Sequence, residues 1–461
     1  MNSINITEVI DKKKNGKALS TEEIYFFIEG VTNDEIPDYQ ASALLMAICI
    51  NGMTERETYD LTMAMRYSGH NISFEDFGHT VVDKHSTGGI GDKTTLIIGP
   101  IMAAAGVRVA KMSGRGLGIT GGTIDKLESI PGFSSFMTEE QLVEQVKTVG
   151  FADAAQTENL APADKKLYAL RDVTATVDSI PLIASSIMCK KLSSGADGIV
   201  LDVKYGSGAF MRDEDSAEKL AEIMKSIAYK AGKKCSYVIS DMNQPLGYTV
   251  GNSLEIEEAV RFLSGREQSP QLRELIMKLC VEMYKLSDLY LIDDSSDSST
   301  MKESDAEIIN KLSGVLDSGK AYDKFKEFVS AQGGDLKFIK ELESSEDYNS
   351  GYDGYKEELT YEDIVRLSKR KKKSPIISEI NNKALITGID AEKVGRVSLL
   401  LGAGRRRKDD EIDHGAGVLF RKVVGESISE GDVLAVFYTK KKRIIKQAER
   451  MLASAYELFV E

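Results

Sequence analysis

Two segments of the chain join a strand-like run to a helical run through a loop rich in glycine, serine and threonine. Residues 84–95 read KHSTGGIGDKTT, and residues 113–128 read SGRGLGITGGTIDKLE. Glycine lets the backbone approach a ligand, hydroxyl groups donate to anionic oxygen, and lysine adds a positive charge. The pair therefore predicts an α/β fold whose loops hold one oxyanion, most simply phosphate, from two sides.

The residues around these loops alternate between strand and helix patterns, which is typical of a parallel sheet with helices outside it. The strand-like runs are TVVDKH, VRVAKM and GFADAA, followed later by GADGIVLDVKYG and SYVISDM. Residues 163–195 interrupt them with two helical runs. We expect these runs to pack on the helices of residues 1–70, where Ser20–Glu23 and Thr54–Glu57 form capping boxes. The helical domain is then discontinuous.

The predicted fold class is α/β: a discontinuous helical domain, a mixed or parallel-sheet α/β domain, and a C-terminal α+β domain rich in strands. The expected segments are helical at 1–70, α/β at 71–162, helical at 163–195, α/β at 196–340, a linker at 341–360, and the C-terminal domain at 361–461. In the last domain, KALITGI, RVSLLLGAG, GVLFRKV and DVLAVFYT predict strands, and IIKQAERMLASAYELF predicts a closing amphipathic helix.

Composition excludes several function classes. The formal net charge of the 461 residues is −13, which disfavours general nucleic-acid binding. No apolar run reaches the roughly 18 residues that a membrane helix needs, and no signal pattern opens the chain, so we expect a cytoplasmic protein. The four cysteines form no CxxC pair, which favours buried free thiols over a zinc or redox site.

A second group of polar residues lies on the interrupting helices. Tyr168 and Arg171 are three residues apart, and Ser186 and Lys190 are four apart, so each pair shares a helix face. A guanidinium fork, an ammonium and a hydroxyl suit a flat heterocycle with carbonyls and ring N–H groups. A solvated cationic face is the alternative interpretation. His85, between Lys84 and Ser86, has either a structural role or an acid or hydrogen-bonding role.

Other interpretations of the two loops fit less well. Residues 116–121 match GxGxxG, but no acidic residue closes a second strand about 20 residues later, as a dinucleotide fold requires. GGIGDKTT nearly matches a P-loop, but Asp92 precedes Lys93 where glycine is needed. Two ordinary glycine turns remain an alternative. ISEGDVLAV is similar to small biotin or lipoate barrels, yet no lysine occupies a suitable turn, so we interpret it as structural.

Residues 113–128 resemble the signature of the thymidine phosphorylase and pyrimidine-nucleoside phosphorylase family. The resemblance covers most of residues 1–265, through IPDYQASALLMAI, DKHSTGGIGD, LYALRDVTATVDSIPLIASSIMCKKLSSGADGIVLDVK and SDMNQPLGYTVGN. KMSGRG and TTL are more similar to the broad-specificity pyrimidine branch than to strict thymidine enzymes. Three positions depart from the family pattern: Ile119, Tyr205 and Thr249.

The resemblance implies a three-domain homodimer, in contact through its helical domains, that catalyses reversible phosphorolysis of uridine, thymidine and deoxyuridine with inversion at C1′. It implies inorganic phosphate as co-substrate and no organic cofactor. The implied phosphate ligands are Lys84, Ser86, Thr95, Lys111, Ser113 and Thr123. The implied pyrimidine ligands are Tyr168, Arg171, Ser186 and Lys190, and the catalytic residues are His85, Arg171 and Lys190. A potassium ion would be held by Gly91, Lys93 (through its carbonyl), Leu246, Thr249 and Glu258.

Three alternatives stay open at this point: a strict thymidine phosphorylase, a phosphoribosyltransferase of the anthranilate type, and a sensor that binds nucleoside or phosphate without catalysis. The phosphoribosyltransferase would need a pyrophosphorylated sugar and magnesium. The sensor would bind tightly and release no base.

Overall fold

The computed structural model describes residues 4–74, 77–116, 118–119, 121–157, 159–291, 303–370, 383–407 and 409–460. Within these ranges no helix is both long enough and apolar enough to cross a bilayer.

Six helices form the helical domain, and they come from two separate parts of the chain. They are α1 (Ile6–Lys14), α2 (Thr21–Thr32), α3 (Asp38–Asn51), α4 (Glu55–Tyr67), α8 (Pro162–Val173) and α9 (Ile180–Ser193). Both capping boxes predicted at the starts of α2 and α4 are present. One buried cluster joins Phe27 and Leu44 to Leu167 and Cys189. The predicted discontinuous helical domain is therefore confirmed.

The α/β domain is built on a five-stranded parallel sheet of order β3-β2-β1-β4-β5. Its strands are β1 (Val81–Ser86), β2 (Arg108–Ser113), β3 (Phe151–Ala155), β4 (Gly198–Tyr205) and β5 (Lys234–Asp241). The helices that follow these strands are α5 (Thr94–Ala104), α6 (Thr123–Leu127), α7 (Glu139–Thr148) and α10 (Glu214–Lys230). The described residues of the domain also contain α11 (Asn252–Leu263), α12 (Pro270–Leu286), α13 (Asp288–Leu291), α14 (Asp305–Asp317), α15 (Lys320–Ala331) and α16 (Leu336–Ser344).

The register of the sheet opens a gap beside β1. Strand β1 pairs with β4 from Val82 to Ser86, along nearly its whole length. It pairs with β2 only at Val81 and Val82, so the two strands separate before either reaches its glycine-rich loop. Helix α9 faces this region. Met188 and Leu192 of α9 lie in the cluster of β4 and α10, whereas Cys189 lies in that of the helical domain. Helix α9 therefore belongs to both domains.

Two antiparallel sheets form the C-terminal part, in the orders β6-β9-β11-β7 and β10-β8-β12. Their strands are β6 (Thr249–Val250), β7 (Tyr355–Thr360), β8 (Lys383–Ile389), β9 (Gly417–Phe420), β10 (Ser427–Ser429), β11 (Val433–Thr439) and β12 (Tyr456–Val460). The helices here are α17 (Tyr361–Arg370), α18 (Ala391–Leu401) and α19 (Ile445–Ala453), with a 3-10 turn at Lys442–Ile444. The segment predicted as a linker contains the end of α16 and strand β7. The domain limits themselves stay a prediction.

Two sequence predictions in this part were wrong. RVSLLL is not a strand but most of α18, because Asp390 caps the helix by accepting from the backbone N–H of Lys393, and Val394, Val397 and Leu401 are buried at helical spacing. The closing helix ends at Ala453, and the chain returns as β12 beside β8. Short apolar runs do not distinguish helix from strand by pattern alone.

Candidate active site

The first glycine-rich loop follows β1, and its polar side chains bind one another. Lys84 is buried, donates to Oγ1 of Thr94 at 2.5 Å, and forms an ion pair with Asp202 at 3.1 Å. Asp92 accepts from the hydroxyl groups of Ser86 and Thr94. Burial by itself would raise the pKa of Asp92, but the positive charges of neighbouring lysines hold this pKa well below its usual range. The loop is thus a pre-formed network of buried charge.

The second loop follows β2 and carries a matching set. Lys111 and Ser113 are buried at the end of the strand, and Ser113 Oγ donates to Asp153 Oδ2 at 3.0 Å. Burial and the positive charge of Lys191 together lower the pKa of Lys111 to about 8. Burial raises the pKa of Asp153 to about 6. Both groups therefore titrate closer to neutral pH than they do in water.

The two predicted threonine ligands begin the helices that follow the loops. Thr95 is the second residue of α5 and Thr123 is the first of α6, and both are half-buried. The backbone N–H of Gly116 donates to Asp125 Oδ2 at 2.7 Å, which ties the second loop to α6.

The C-terminal part supports the second loop directly. Arg405 pairs with Asp125 at 2.7 Å, and its carbonyl accepts from the backbone N–H of Gly118 at 2.9 Å. Gly395 of α18 approaches so closely that an added Cβ would lie 3.0 Å from the carbonyl of Ile119. Contacts of this kind position a loop without touching what the loop binds.

His85 lies where the two loops and the helical domain meet. The side chain is half-buried, and its pKa is well below the usual value. Burial is the main cause, and the ammonium groups of Lys191, Lys111, Lys190 and Lys84 add to it. These four lysines come from β1, β2 and α9. The imidazole is therefore neutral at physiological pH.

On the helical side, both predicted pairs are in contact. Lys190 Nζ donates to Ser186 Oγ at 3.1 Å and to Asp164 Oδ2 at 2.6 Å. The guanidinium of Arg171 lies 5.6 Å from the centre of the Tyr168 ring. Although burial opposes it, Asp164 raises the pKa of Lys190, so Lys190 remains charged. The binding roles of these residues stay a prediction.

Arg171 also holds the turn between α8 and α9, which the sequence did not indicate. It is buried, and three of its five N–H groups donate to the carbonyls of Thr176, Val177 and Leu182. It is therefore not part of a solvated cationic face.

Lys191 is a buried cation that the sequence analysis missed. Its Nζ lies 2.7 Å from Asp83 Oδ2 and 3.3 Å from the carbonyl of Met112, between β1 and β2 where their pairing stops. Helical geometry turns consecutive side chains by about 100°, so Lys190 and Lys191 contact different domains. The acidic partners were missed as well: Asp83, Asp92, Asp153, Asp164 and Asp202.

The residues predicted to bind potassium come together, but around an ammonium group. Lys93 Nζ lies 2.7 Å from the carbonyl oxygen of Leu246, 3.0 Å from that of Thr249 and 2.8 Å from Glu258 Oε2. The backbone of Gly91 lies close to the same two carbonyls: an added Cβ would be 2.7 Å from the oxygen of Leu246 and 3.0 Å from that of Thr249. The sequence led us to expect the Lys93 carbonyl as a ligand, whereas the side chain itself occupies the centre. This arrangement does not fit a potassium ion, and we assign no step to one.

Comparison with known proteins places this architecture in a class. Residues 7–69 match the helical bundle domain of a glycosyl transferase family, and residues 78–322 match the a/b domain of that family. Residues 385–459 match the pyrimidine nucleoside phosphorylase C-terminal domain. The fold and the site together thus define a glycosyl transferase with a third, C-terminal domain.

Individual relatives show to which family within that class the chain belongs. Pyrimidine-nucleoside phosphorylase of Bacillus subtilis (strain 168) is 45% identical over 452 residues, which cover 98% of this chain and 95% of the relative. The protein of that name from Geobacillus stearothermophilus is 45% identical over 439 residues, covering 95% and 93%. The chain belongs to the pyrimidine-nucleoside phosphorylase family.

A solved structure supports the fold alone. Anthranilate phosphoribosyltransferase from Thermus thermophilus superposes with a TM-score of 0.55 at 19% identity, covering 70% of this chain and 98% of that one.

Proposed function

We propose that this protein catalyses the reversible phosphorolysis of pyrimidine nucleosides, giving the free base and ribose or deoxyribose 1-phosphate with inversion at C1′. The observation that carries the proposal is that β1, β2 and α9 meet at one place: Lys191 of α9 lies 2.7 Å from Asp83 on β1 and 3.3 Å from the carbonyl of Met112 on β2, where the two strands stop pairing. Two of these elements lead into glycine-rich loops suited to phosphate, and the third carries residues suited to a planar base. The names of the relatives support the same activity.

On the phosphate side, Lys84 and Lys111 would supply charge, and the loop backbone would supply N–H groups. The hydroxyl groups of Ser86 and Ser113 donate to Asp92 and Asp153. A bound phosphate must therefore either take over those donors or donate its own P–OH to the serine oxygens. Thr95 and Thr123, half-buried in the first turns of their helices, complete the proposed phosphate set.

On the base side, Lys190 and Arg171 would donate to the carbonyl oxygens of the pyrimidine, with Ser186 and Tyr168 alongside. Lys190 keeps its charge because of Asp164, and Arg171 has two N–H groups left after its three carbonyl contacts. Neutral His85 would hydrogen-bond a base oxygen and stabilise the charge that develops there.

The reaction follows from these positions. A phosphate oxygen attacks C1′ from the face opposite the base and forms a P–O–C1′ bond. The C1′–N1 bond breaks, and its electron pair stays on N1, so the base departs as an anion that the cationic side chains stabilise. A proton from the P–OH group of the sugar phosphate, or from water, then restores the neutral base. Attack from the opposite face is the reason for inversion.

The assay that tests the proposal uses purified protein with phosphate and, separately, uridine, thymidine, deoxyuridine and cytidine, read by ultraviolet absorbance. We expect phosphate-dependent release of uracil and thymine, and no release without phosphate. Activity on thymidine and deoxyuridine alone would indicate a strict thymidine phosphorylase. Binding without release of base would indicate a sensor. The phosphoribosyltransferase alternative rests on fold similarity alone, and it requires activity that EDTA abolishes.

A homodimer in the cytoplasm is part of the same proposal. Tyr39, Met46 and Ile50 of α3 are 74%, 38% and 74% exposed. Their spacing of seven and four residues puts them on one face, opposite the buried face of α3. An exposed apolar stripe on the helical domain suits the predicted subunit contact. Light scattering coupled to gel filtration measures the mass, and Ile50→Glu should shift it toward the monomer.

A further inference from the structure

We infer that Lys93 is a built-in monovalent cation: its ammonium occupies the position that a potassium ion would otherwise take, so this protein needs no potassium. The inference concerns a structural cation beside the phosphate loop. Only its activity readout rests on the proposed function.

The contacts of Lys93 satisfy an ammonium group completely. The side chain is fully buried, and its three N–H donors meet three acceptors: the carbonyls of Leu246 and Thr249 and the carboxylate of Glu258. Two carbonyl oxygens and a carboxylate around one point are also the ligands that a desolvated alkali cation prefers. The ammonium and the ion therefore compete for one set of oxygens.

The other contacts of Glu258 hold its carboxylate toward Lys93. It accepts from the backbone N–H groups of Tyr248 and Thr249, each at 2.8 Å, and from Thr249 Oγ1 at 2.6 Å. One negative charge is thus matched by one buried positive charge. A potassium ion added to the same oxygens would leave a net positive charge in a dry site, which is costly.

The space around the ammonium is also closed. A Cβ added to Gly247 would lie 2.2 Å from Glu258 Oε1 and 3.0 Å from Lys93 Nζ. A Cβ added to Gly91 would lie 2.7 Å from the carbonyl oxygen of Leu246. The backbone therefore wraps the group from two sides, and an ion could enter only if the lysine left.

The location explains what the cation does. Lys93 is the N-cap residue of α5 and directly follows Asp92, which binds Ser86 and Thr94 in the phosphate loop. Its partners lie on β6, on α11 and on the segment before β6, and β6 pairs with β9 of the C-terminal part. Lys93 thus ties the phosphate loop to the base of the C-terminal domain. A covalently attached cation does so at any salt concentration, whereas a bound ion acts only by mass action.

The test compares potassium chloride with choline chloride at constant ionic strength, and inorganic phosphate is supplied as the salt of the same cation. For the unmodified protein we expect the same melting temperature and the same kcat/KM in both salts. In Lys93→Thr, which removes the ammonium and leaves the oxygens free, we expect both quantities to fall in choline and recover in potassium. Potassium at about ten times its Kd should restore roughly nine-tenths of the activity reached at saturating potassium, because only the ion-bound form is competent.

The control is Lys93→Met, which removes the charge but still fills the space, and we expect its melting temperature to respond less to potassium than that of Lys93→Thr. A potassium-dependent rise in melting temperature or kcat/KM of the unmodified protein would overturn the inference. So would a Lys93→Thr variant that folds and ignores potassium. If that variant does not fold, the response of the unmodified protein decides. Absence of phosphorolysis in every salt would instead contradict the proposed function, and the melting temperatures would still test the cation.

Discussion

At the scale of single residues, Lys190 connects the helical domain to the proposed chemistry. Its ammonium is held by Asp164 and Ser186, and 21% of the side chain remains exposed. A bound base would contact the exposed part of the Lys190 side chain. The hydrogen bonds to Asp164 and Ser186 fix the orientation of its ammonium. This combination distinguishes Lys190 from Lys191, which is buried.

We predict that Lys190→Ala lowers kcat/KM by about 100- to 1,000-fold, the usual cost of losing one donor to a developing anion. The fold should remain, as circular dichroism would measure. Lys166→Ala is the matched control, because Lys166 forms a surface ion pair with Asp34 and its loss should leave activity unchanged. Since Lys190→Ala also leaves buried Asp164 unpaired, the double variant with Asp164→Asn separates lost stability from lost activity. Near-normal kcat/KM in both variants would show that Lys190 does not bind the base.

The second residue-scale prediction concerns pH. Lys111 has a pKa lowered to about 8 by burial and by Lys191. Its positive charge is present below that pH and is lost as the pH rises through it. The KM for phosphate should therefore rise above about pH 8, while kcat at saturating phosphate changes less because bound phosphate stabilises the ammonium.

Lys111→Gln should weaken phosphate binding below about pH 8, where the unmodified protein carries the charge, and remove this alkaline rise. Initial rates over a series of phosphate concentrations from pH 6 to about 9.5 would measure both effects, well below the ordinary pKa of lysine. Lys278→Gln, which changes an exposed lysine on α12, is the control. If the alkaline rise persists in Lys111→Gln, another group is responsible for it.

At the scale of elements, helix α9 is anchored in the sheet by one buried ion pair. Lys191 contacts Asp83 on β1 and the carbonyl of Met112 on β2, in the gap where these strands no longer pair. The Lys191 ammonium connects β1 and β2 where they no longer form backbone hydrogen bonds with each other. It thereby fixes the end of α9 at the strand that carries His85. The geometry of the site therefore depends on this element-to-element contact.

We predict that Lys191→Met lowers the free energy of unfolding by about 3 kcal/mol, because among the described residues the fully buried carboxylate of Asp83 then keeps only the more distant ammonium of Lys111, at 4.0 Å, as an ion-pair partner. Urea denaturation would measure the loss. The double variant with Asp83→Asn should recover part of it, since neither partner is then charged. A loss below about 1 kcal/mol, the scale of a surface pair, would contradict the assigned role.

At the scale of the whole molecule, the helical domain is joined to the α/β domain by three chain crossings that bond to each other. The N–H of His70 donates to the carbonyl of Asn159, and that of Ile72 donates to the carbonyl of Ser193. Gly195 has φ of +85°, and a Cβ there would lie 2.4 Å from the carbonyl of Ile72. Domains that are connected by a small number of chain segments, with a small residue in one of those segments, are typical of hinge motion.

We predict that the helical domain closes onto the phosphate loops when both phosphate and a base analogue are bound. The reason is that the proposed ligands of the two compounds lie in different domains, so only the closed form contacts both. Small-angle scattering should show a smaller radius of gyration with both compounds than with either alone. Lys190→Ala should not compact. An unchanged radius in the unmodified protein would contradict closure.

Much of this fold could be predicted from the sequence because the signals are local. The capping boxes at Ser20, Thr54 and Thr138 mark helices that the structure confirms. The alternation of strand and helix patterns predicts the parallel sheet, and the glycine-rich loops lie at the carboxyl ends of β1 and β2. Each of these depends on hydrogen bonds or periodicity within a few residues.

The tertiary structure alone decided which side chains contact each other. Lys93 meets Leu246 and Thr249 across 153 and 156 residues of sequence, and Lys191 meets Asp83 across 108. The sequence indicated only the backbone carbonyl of Lys93 as a ligand. The folded chain shows instead that its ammonium contacts two carbonyl oxygens and a carboxylate. Local patterns predict elements because their causes are local, whereas the partner of a buried charge depends on how distant segments pack together.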